Sequence, residues 1–293
     1  MAIQKIMVPF LKDETGPLAL SAAVTLADRF KSHIDVIYMR PPITVQQLGG
    51  GYYPIAVNYV RSTIETLNER ANEEAAKLKV LYEDYCEKYE VGFYDEAEHT
   101  EDKGATAAWS DVDPATSYDF SKRGRIADLT VLGKSAGEAP QDEVELIEEL
   151  VFQSGRPVLI APSAASDFEF PETVVVAWDG GREAARAIAA ALPILKEARH
   201  VIVASVGETR YGCEPPGHAA SHLKLHGVHA TSLSAKLGKG EDPEEAFLTL
   251  ANNKDADLIV MGAYSHSRLR EVIWGGFTRY LLRESEIPML LAH

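Results

Sequence analysis

Hydrophobic positions along the chain fall into short, nearly unbroken runs separated by longer amphipathic stretches. Lys5-Ile6-Met7-Val8-Pro9-Phe10 is the first such run, and Thr173-Val174-Val175-Val176-Ala177-Trp178 resembles it far downstream. Runs apolar at almost every position suit strands buried on both faces, as in a parallel sheet. An alanine-rich helical stretch follows each. In the second, residues 183–196, Ala187, Ala190, Ala191 and Ile194 share one stripe. Second strands are expected at residues 34–38 and 201–205. Strand alternating with helix implies right-handed βαβ crossovers and a doubly wound α/β sheet.

The pattern occurs twice. Asp113-Pro114 and Ala127-Asp128-Leu129-Thr130-Val131-Leu132-Gly133 are matched by Asp242-Pro243 and Ala256-Asp257-Leu258-Ile259-Val260-Met261-Gly262. Asp113 to Asp242 and Gly133 to Gly262 both span 129 positions. A constant offset marks an internal repeat. Each half closes on a proline-led apolar run, Pro157-Val158-Leu159-Ile160-Ala161 and Pro288-Met289-Leu290-Leu291-Ala292. The expected organisation is a first domain at residues 1–161, a linker at 162–171 without helical period, and a second domain at 172–293.

The halves differ in length. Lys5 to Ala127 is 122 positions and Thr173 to Ala256 is 83, so the first half carries 39 more before Asp113. The excess comprises a Pro- and Gly-rich loop after Pro41 and a long helix expected at residues 58–89. Val60, Ile64, Leu67, Ala71, Leu78, Leu81 and Tyr85 form its seam. Packing on its own sheet is the first reading of that seam, and an oligomer contact the second.

Charge narrows the partners. The net charge is −15, divided as −11 before residue 166 and −4 from there on. Such a surface repels a phosphate backbone, so neither nucleic acid nor an anionic membrane is an expected partner. Two distant cysteines, Cys86 and Cys213, give no zinc knuckle or redox pair and fit a reducing compartment. With no signal-peptide pattern and no apolar run of about 20 residues, the expected location is the cytoplasm.

Ligands of open parallel sheets bind at the carboxyl ends of the strands. In the second half two loops reach that end. Trp178-Asp179-Gly180-Gly181-Arg182 follows the first strand, and Asp179 is an acceptor for an exocyclic amine or a ribose hydroxyl. Gly262-Ala263-Tyr264-Ser265-His266-Ser267-Arg268 follows the fourth and runs on to Gly275-Gly276-Phe277-Thr278. Amides at a glycine-led helix start favour an anion, and His266, Arg268 and Arg270 add donors. Each residue also has a structural reading: a helix cap for Asp179, a tight turn for the glycines, a solvated face for the bases.

On these motifs the chain resembles the universal stress protein family in its tandem two-domain form, most closely over residues 256–292. The resemblance implies a five-stranded parallel sheet of order 3-2-1-4-5 in each half. It also implies an adenine nucleotide, ATP, ADP or AMP, held by an Asp after strand one and a Gly-x2-Gly-x9-Gly-(Ser/Thr) motif. Asp179, Gly262 and Gly275 match. Ser265 replaces the second Gly, and Gly276 replaces the Ser/Thr, with Thr278 nearby. No metal is expected beyond nucleotide-bound Mg. The resemblance further implies that residues 157–161 and 288–292 pair antiparallel, a built-in pseudo-dimer, with a homodimer as a further assembly.

The first half departs further. Leu11 stands where Asp179 stands, and no Gly-x9-Gly pair follows Gly133. Residues 134–154 carry one base and six acids, net −5, against net +1 for residues 263–287. No nucleotide is expected there. No Walker A, HExxH or dinucleotide motif occurs, no catalytic residue is assigned, and at most slow ATP hydrolysis is expected. His218, His222, His226 and His229 raise a metal reading, but Gly227 and the flanking prolines argue against a helix that would align them. The leading expectation is a stress protein regulated by a nucleotide. The alternatives are a scaffold protein with both sites degenerate and an enzyme on a related ATP-pyrophosphatase or flavoprotein plan.

Overall fold

A computed structural model describes residues 2–10, 14–40, 57–112, 117–135, 140–161, 168–207, 212–238, 240–263 and 276–293. In chain order the first half contains β1 (Lys5–Pro9), α1 (Gly16–Phe30), β2 (His33–Met39), α2 (Val57–Lys88), β3 (Gly92–Phe93), β4 (Thr106–Val112), α3 (Ser117–Gly124), β5 (Leu129–Gly133), α4 (Gln141–Gln153) and β6 (Val158–Ala161). The second contains β7 (Thr173–Ala177), α5 (Arg182–Glu197), β8 (His200–Val206), α6 (Pro216–Leu225), β9 (Ala230–Ala235), α7 (Pro243–Asn253), β10 (Leu258–Gly262), α8 (Gly276–Glu284) and β11 (Met289–Ala292).

The eleven strands of the described residues form one sheet, ordered β3-β4-β2-β1-β5-β6-β11-β10-β7-β8-β9. The second half runs in the expected 3-2-1-4-5 order. The first keeps that order and adds the two-residue β3 at its edge, a sixth strand that the sequence reading lacks. The halves join through β6 and β11, antiparallel, with Leu159 opposite Leu290. Every other pairing is parallel.

Both faces of the sheet are covered, which is why the strands read as unbroken apolar runs. Val174, Val176, Leu258 and Val260 point to the face covered by α1, α2, α5 and α6. Val175, Ile259 and Met261 point to the other, under α3, α4, α7 and α8. The repeated Ala-Asp pair has a scaffold role in each half. Asp128 Oδ2 accepts the amides of Gln4 and Lys5 at 2.9 and 3.1 Å. Asp257 Oδ2 accepts those of Glu172 and Thr173 at 3.0 and 2.8 Å. One carboxylate thus sets the start of strand one beside strand four.

Residues 168–171 lie against the first half. The amide of Phe168 donates to Ser21 Oγ at 3.0 Å, and its carbonyl accepts from Thr25 Oγ1 at 2.9 Å. The long helix α2 packs through its C-terminal part, where Leu78, Tyr82 and Cys86 are buried. Val60, Ile64, Leu67 and Ala71 of its seam stay half-exposed.

Contrary to the sequence expectation, residues around His222 do form a helix, α6. Pro216 sits in its first turn, where a missing amide removes nothing. Gly227, at φ +82°, ends the run in the left-handed conformation that suits glycine after a helix. The proline and glycine that argued against a helix are its start and stop signals.

Candidate functional site

Parallel pairing of β7 with β10 puts Ala177 opposite Met261, so the loops beginning at Trp178 and at Gly262 leave the sheet side by side. Asp179 is half-buried, and its Oδ1 accepts the amide of Gly181 at 2.8 Å. Gly181 is the N-cap of α5, so this carboxylate forms the turn that launches the helix. Among the described residues, Oδ2 has no hydrogen-bond partner.

Neighbouring elements fix this loop. The amide of Trp178 donates to Ala204 O at 2.8 Å, and its indole Nε1 donates to Glu214 O at 2.8 Å. Ser205 Oγ donates to the Trp178 carbonyl. Gly180 has φ +78°, and a Cβ there would stand 2.5 Å from Cys213 Cβ. Cys213 and Glu214 therefore lie against the strand-one loop.

Gly262 is required for a reason the motif reading did not supply. A Cβ on it would meet the backbone of Glu183 and Ala184 at 2.4 Å, because the start of α5 lies directly on the end of β10. Gly133 is under the same constraint, with Thr15 O at 2.1 Å from its would-be Cβ. The glycine is a helix-on-strand contact common to both halves, so alone it does not distinguish a nucleotide site from a structural one. Glu183, missed by the sequence reading, is 5% exposed and brings a second carboxylate to this strand end. Its only prior signal was its place as an acid in the first turn of α5.

The other side of the site is the start of α8. Gly276 is exposed there, Thr278 is 3% exposed, and the ring of Phe277 packs against Phe247 of α7 with centroids 5.4 Å apart. The ring of Phe277 thus contributes to the α7–α8 packing. Ser265, His266, Arg268 and Gly275, together with Arg270, lie outside the described residues.

In the first half the corresponding place holds a carboxylate of the protein itself. Glu143, in the first turn of α4 and 8% exposed, accepts the amide of Ser135 through Oε1 at 2.9 Å and its hydroxyl through Oε2 at 2.6 Å. Beside it, Lys134 is 2% exposed and donates to the carbonyls of Leu282 and Ser285 at 2.8 and 3.0 Å. Burial holds the Lys134 ammonium below the usual lysine range, and Glu286, Glu143 and Glu284 partly oppose that. Among the described residues, no group of three or more His, Cys, Asp or Glu is arranged to hold a metal ion. No helix among them is long and apolar enough to cross a membrane.

Residues 218–293 match the model of the universal stress protein family. A universal stress protein of Synechocystis sp. is 26% identical over 174 residues, 56% of this chain and 57% of that relative, so the match spans little more than half the relative's length. Among solved structures, a universal stress protein from Archaeoglobus fulgidus DSM 4304 superposes with a TM-score of 0.67 at 16% identity, covering 99% of this chain and 97% of that one. A second, described as a putative universal stress protein from Pseudomonas aeruginosa UCBPP-PA14, gives 0.57 at 15% identity, covering 99% and 93%.

Proposed function

We propose, on the premise that residues 218–293 belong to the universal stress protein family and that the whole chain has the fold of a solved universal stress protein, that the second half binds an adenine nucleotide as a regulatory ligand. The supporting observation is the adjacency of the Asp179 and Gly262 loops at the ends of β7 and β10, where ligands of open parallel sheets bind. Asp179 keeps Oδ2 for a ribose hydroxyl or an exocyclic amine. The amides that open α8, with Ser265, His266, Arg268 and Gly275 before them, supply the anion side. ATP, ADP and AMP are the candidate ligands, with Mg carried by the nucleotide, and the protein acts as a cytoplasmic stress-response switch without a catalytic residue of its own. The two domains and their linker are taken as residues 1–161, 162–171 and 172–293.

The first half holds no nucleotide in this reading. Glu143 already takes the amide and hydroxyl that an anion would use, and in the sequence Leu11 holds the position of Asp179.

The test is thermal denaturation with ATP and AMP at millimolar concentration. Wild type gains stability, Asp179→Ala does not, and Asp179→Asn, which keeps the oxygen accepting from Gly181, separates the turn from the ligand contact. No gain by wild type with any adenine nucleotide would overturn the reading. One observation favours a scaffold role as a second reading: Val60, Ile64 and Leu67 are half-exposed on one helix. A protein that stays monomeric and is unchanged by Ile64→Asp would remove it.

A further inference from the structure

The two halves treat one piece of their fold differently. In the first, Phe10 follows β1, is 0% exposed and meets Trp109 edge to face with ring centroids 5.9 Å apart. Trp109 in turn lies 5.5 Å from the ring of Tyr82 on α2. The protein's own aromatic rings cover the end of its first strand, and α1 packs directly on α2.

Trp178 is the counterpart of Phe10. Each is the residue after strand one, and each donates its amide to strand two, to Ile37 and to Ala204. The strand registers identify the counterpart of Trp109. Val8 pairs with Val36 and Val36 with Trp109, whereas Val176 pairs with Val203 and Val203 with Ser232. A serine therefore stands where the first half places an indole. Trp178 is left half-buried, lining a cavity of about 360 Å³ between α5 and α6.

The walls of this cavity are apolar. Ala185, Ile188, Ala189 and Leu192 form one stripe of α5, faced by Ala219 of α6. Its polar lining side chains are Glu214, His218, His222 and His226 beside the indole of Trp178, and His218 is engaged with the carboxylate of Glu214. His222 and His226 meet ring to ring with centroids 4.8 Å apart, and among the described residues neither imidazole takes a hydrogen bond. The volume lies within the range of about 300–1,000 Å³ usual for small-molecule sites, which combine apolar walls with a few convergent polar groups.

We propose that the α5–α6 cleft is a second ligand site, built for a planar aromatic small molecule that packs against Trp178 as Trp109 packs against Phe10. Its polar substituent meets the imidazoles of His222 and His226. The cleft shares none of the candidate nucleotide residues, so it stands apart from the nucleotide reading.

The probe is 2-naphthol, a neutral two-ring molecule with one hydroxyl, titrated calorimetrically into the full chain. Wild type binds it saturably at one site per chain. Ala189→Phe, a ring placed at an exposed position on the α5 wall, weakens binding about tenfold or more, whereas Asp179→Asn, which keeps the oxygen accepting from Gly181, changes it less than about twofold. Where Ala189→Phe loses helical circular dichroism, Ala185→Phe one turn earlier takes its place. Absence of saturable binding by wild type, or equal binding by the plugged variant, overturns the proposal. The ATP response is read on the same proteins: Ala189→Phe keeps it, so failure of one site is distinguished from failure of the other.

Discussion

The ammonium of Lys134 lies 2.8 Å from the carbonyl oxygen of Leu282, 148 residues further along the chain. A side chain at the end of β5 in the first half thus closes the last turn of α8 in the second. Helix C-termini expose carbonyls without intrahelical partners, and a cation there opposes the negative end of the dipole. Lys134→Met keeps most of the volume and removes both bonds, leaving two buried carbonyls unsatisfied. The expected loss is about 2–4 kcal/mol, measured by urea denaturation. A loss indistinguishable from zero would show that Lys134 does not hold the halves together.

Gly262→Ala should be far more damaging than an exposed glycine substitution. The added methyl would stand 2.4 Å from the backbone of α5, where no side chain can swing aside. A loss of roughly 3 kcal/mol or more is expected, and Gly133→Ala should show a similar one. Equal damage from both would establish that the glycine serves helix packing. Damage confined to nucleotide binding by Gly262→Ala would restore the ligand reading.

Much of this architecture was legible in the sequence. The constant spacing between the Ala-Asp motifs disclosed the repeat, and unbroken apolar runs disclosed a sheet covered on both faces. Asp179 and Gly262 stand out in the sequence, but local pattern could not reveal that α5 lies on β10, so the glycine was read as a turn and a ligand device and not as a packing contact. Lys134 was hidden because its partners are main-chain carbonyls 148 and 151 residues away, and main-chain groups carry no residue signature. The cleft was hidden for another reason. It depends on comparing Trp109 with Ser232, which only the strand register aligns.

Thiol chemistry should separate the two cysteines. Cys86 is fully buried on α2, and burial pushes its thiol up to about 12, with a hydrogen bond to Tyr82 opposing part of that rise. Thiolate is the reactive species, so Cys86 should resist a disulfide reagent at pH 8. Cys213 is only half-buried and should react. The native protein is expected to release one equivalent of chromophore and the denatured protein two. Two equivalents from the native protein would mean that α2 opens readily from the sheet.

Glu148 of α4 gives a pH dependence of definite sign. Burial, then the Glu145 carboxylate, raises it from the usual 4.5 to about 7, and Arg279 on α8 only partly opposes this. Its Oε1 is buried without a hydrogen-bond partner among the described residues, so folding favours the protonated acid. A carboxyl whose folded value lies above its unfolded value contributes stability that is full below about 4.5 and is lost as the pH rises through about 7. Glu148→Gln keeps the shape and removes the charge. It should therefore stabilise the protein at pH 8 by roughly 1–2 kcal/mol and make no difference near pH 4. Denaturation of both proteins across this range provides the check. A gain that persists at pH 4 would assign the effect to packing, and no gain at pH 8 would show that the ionised carboxylate finds water or Arg279 at the α4–α8 contact.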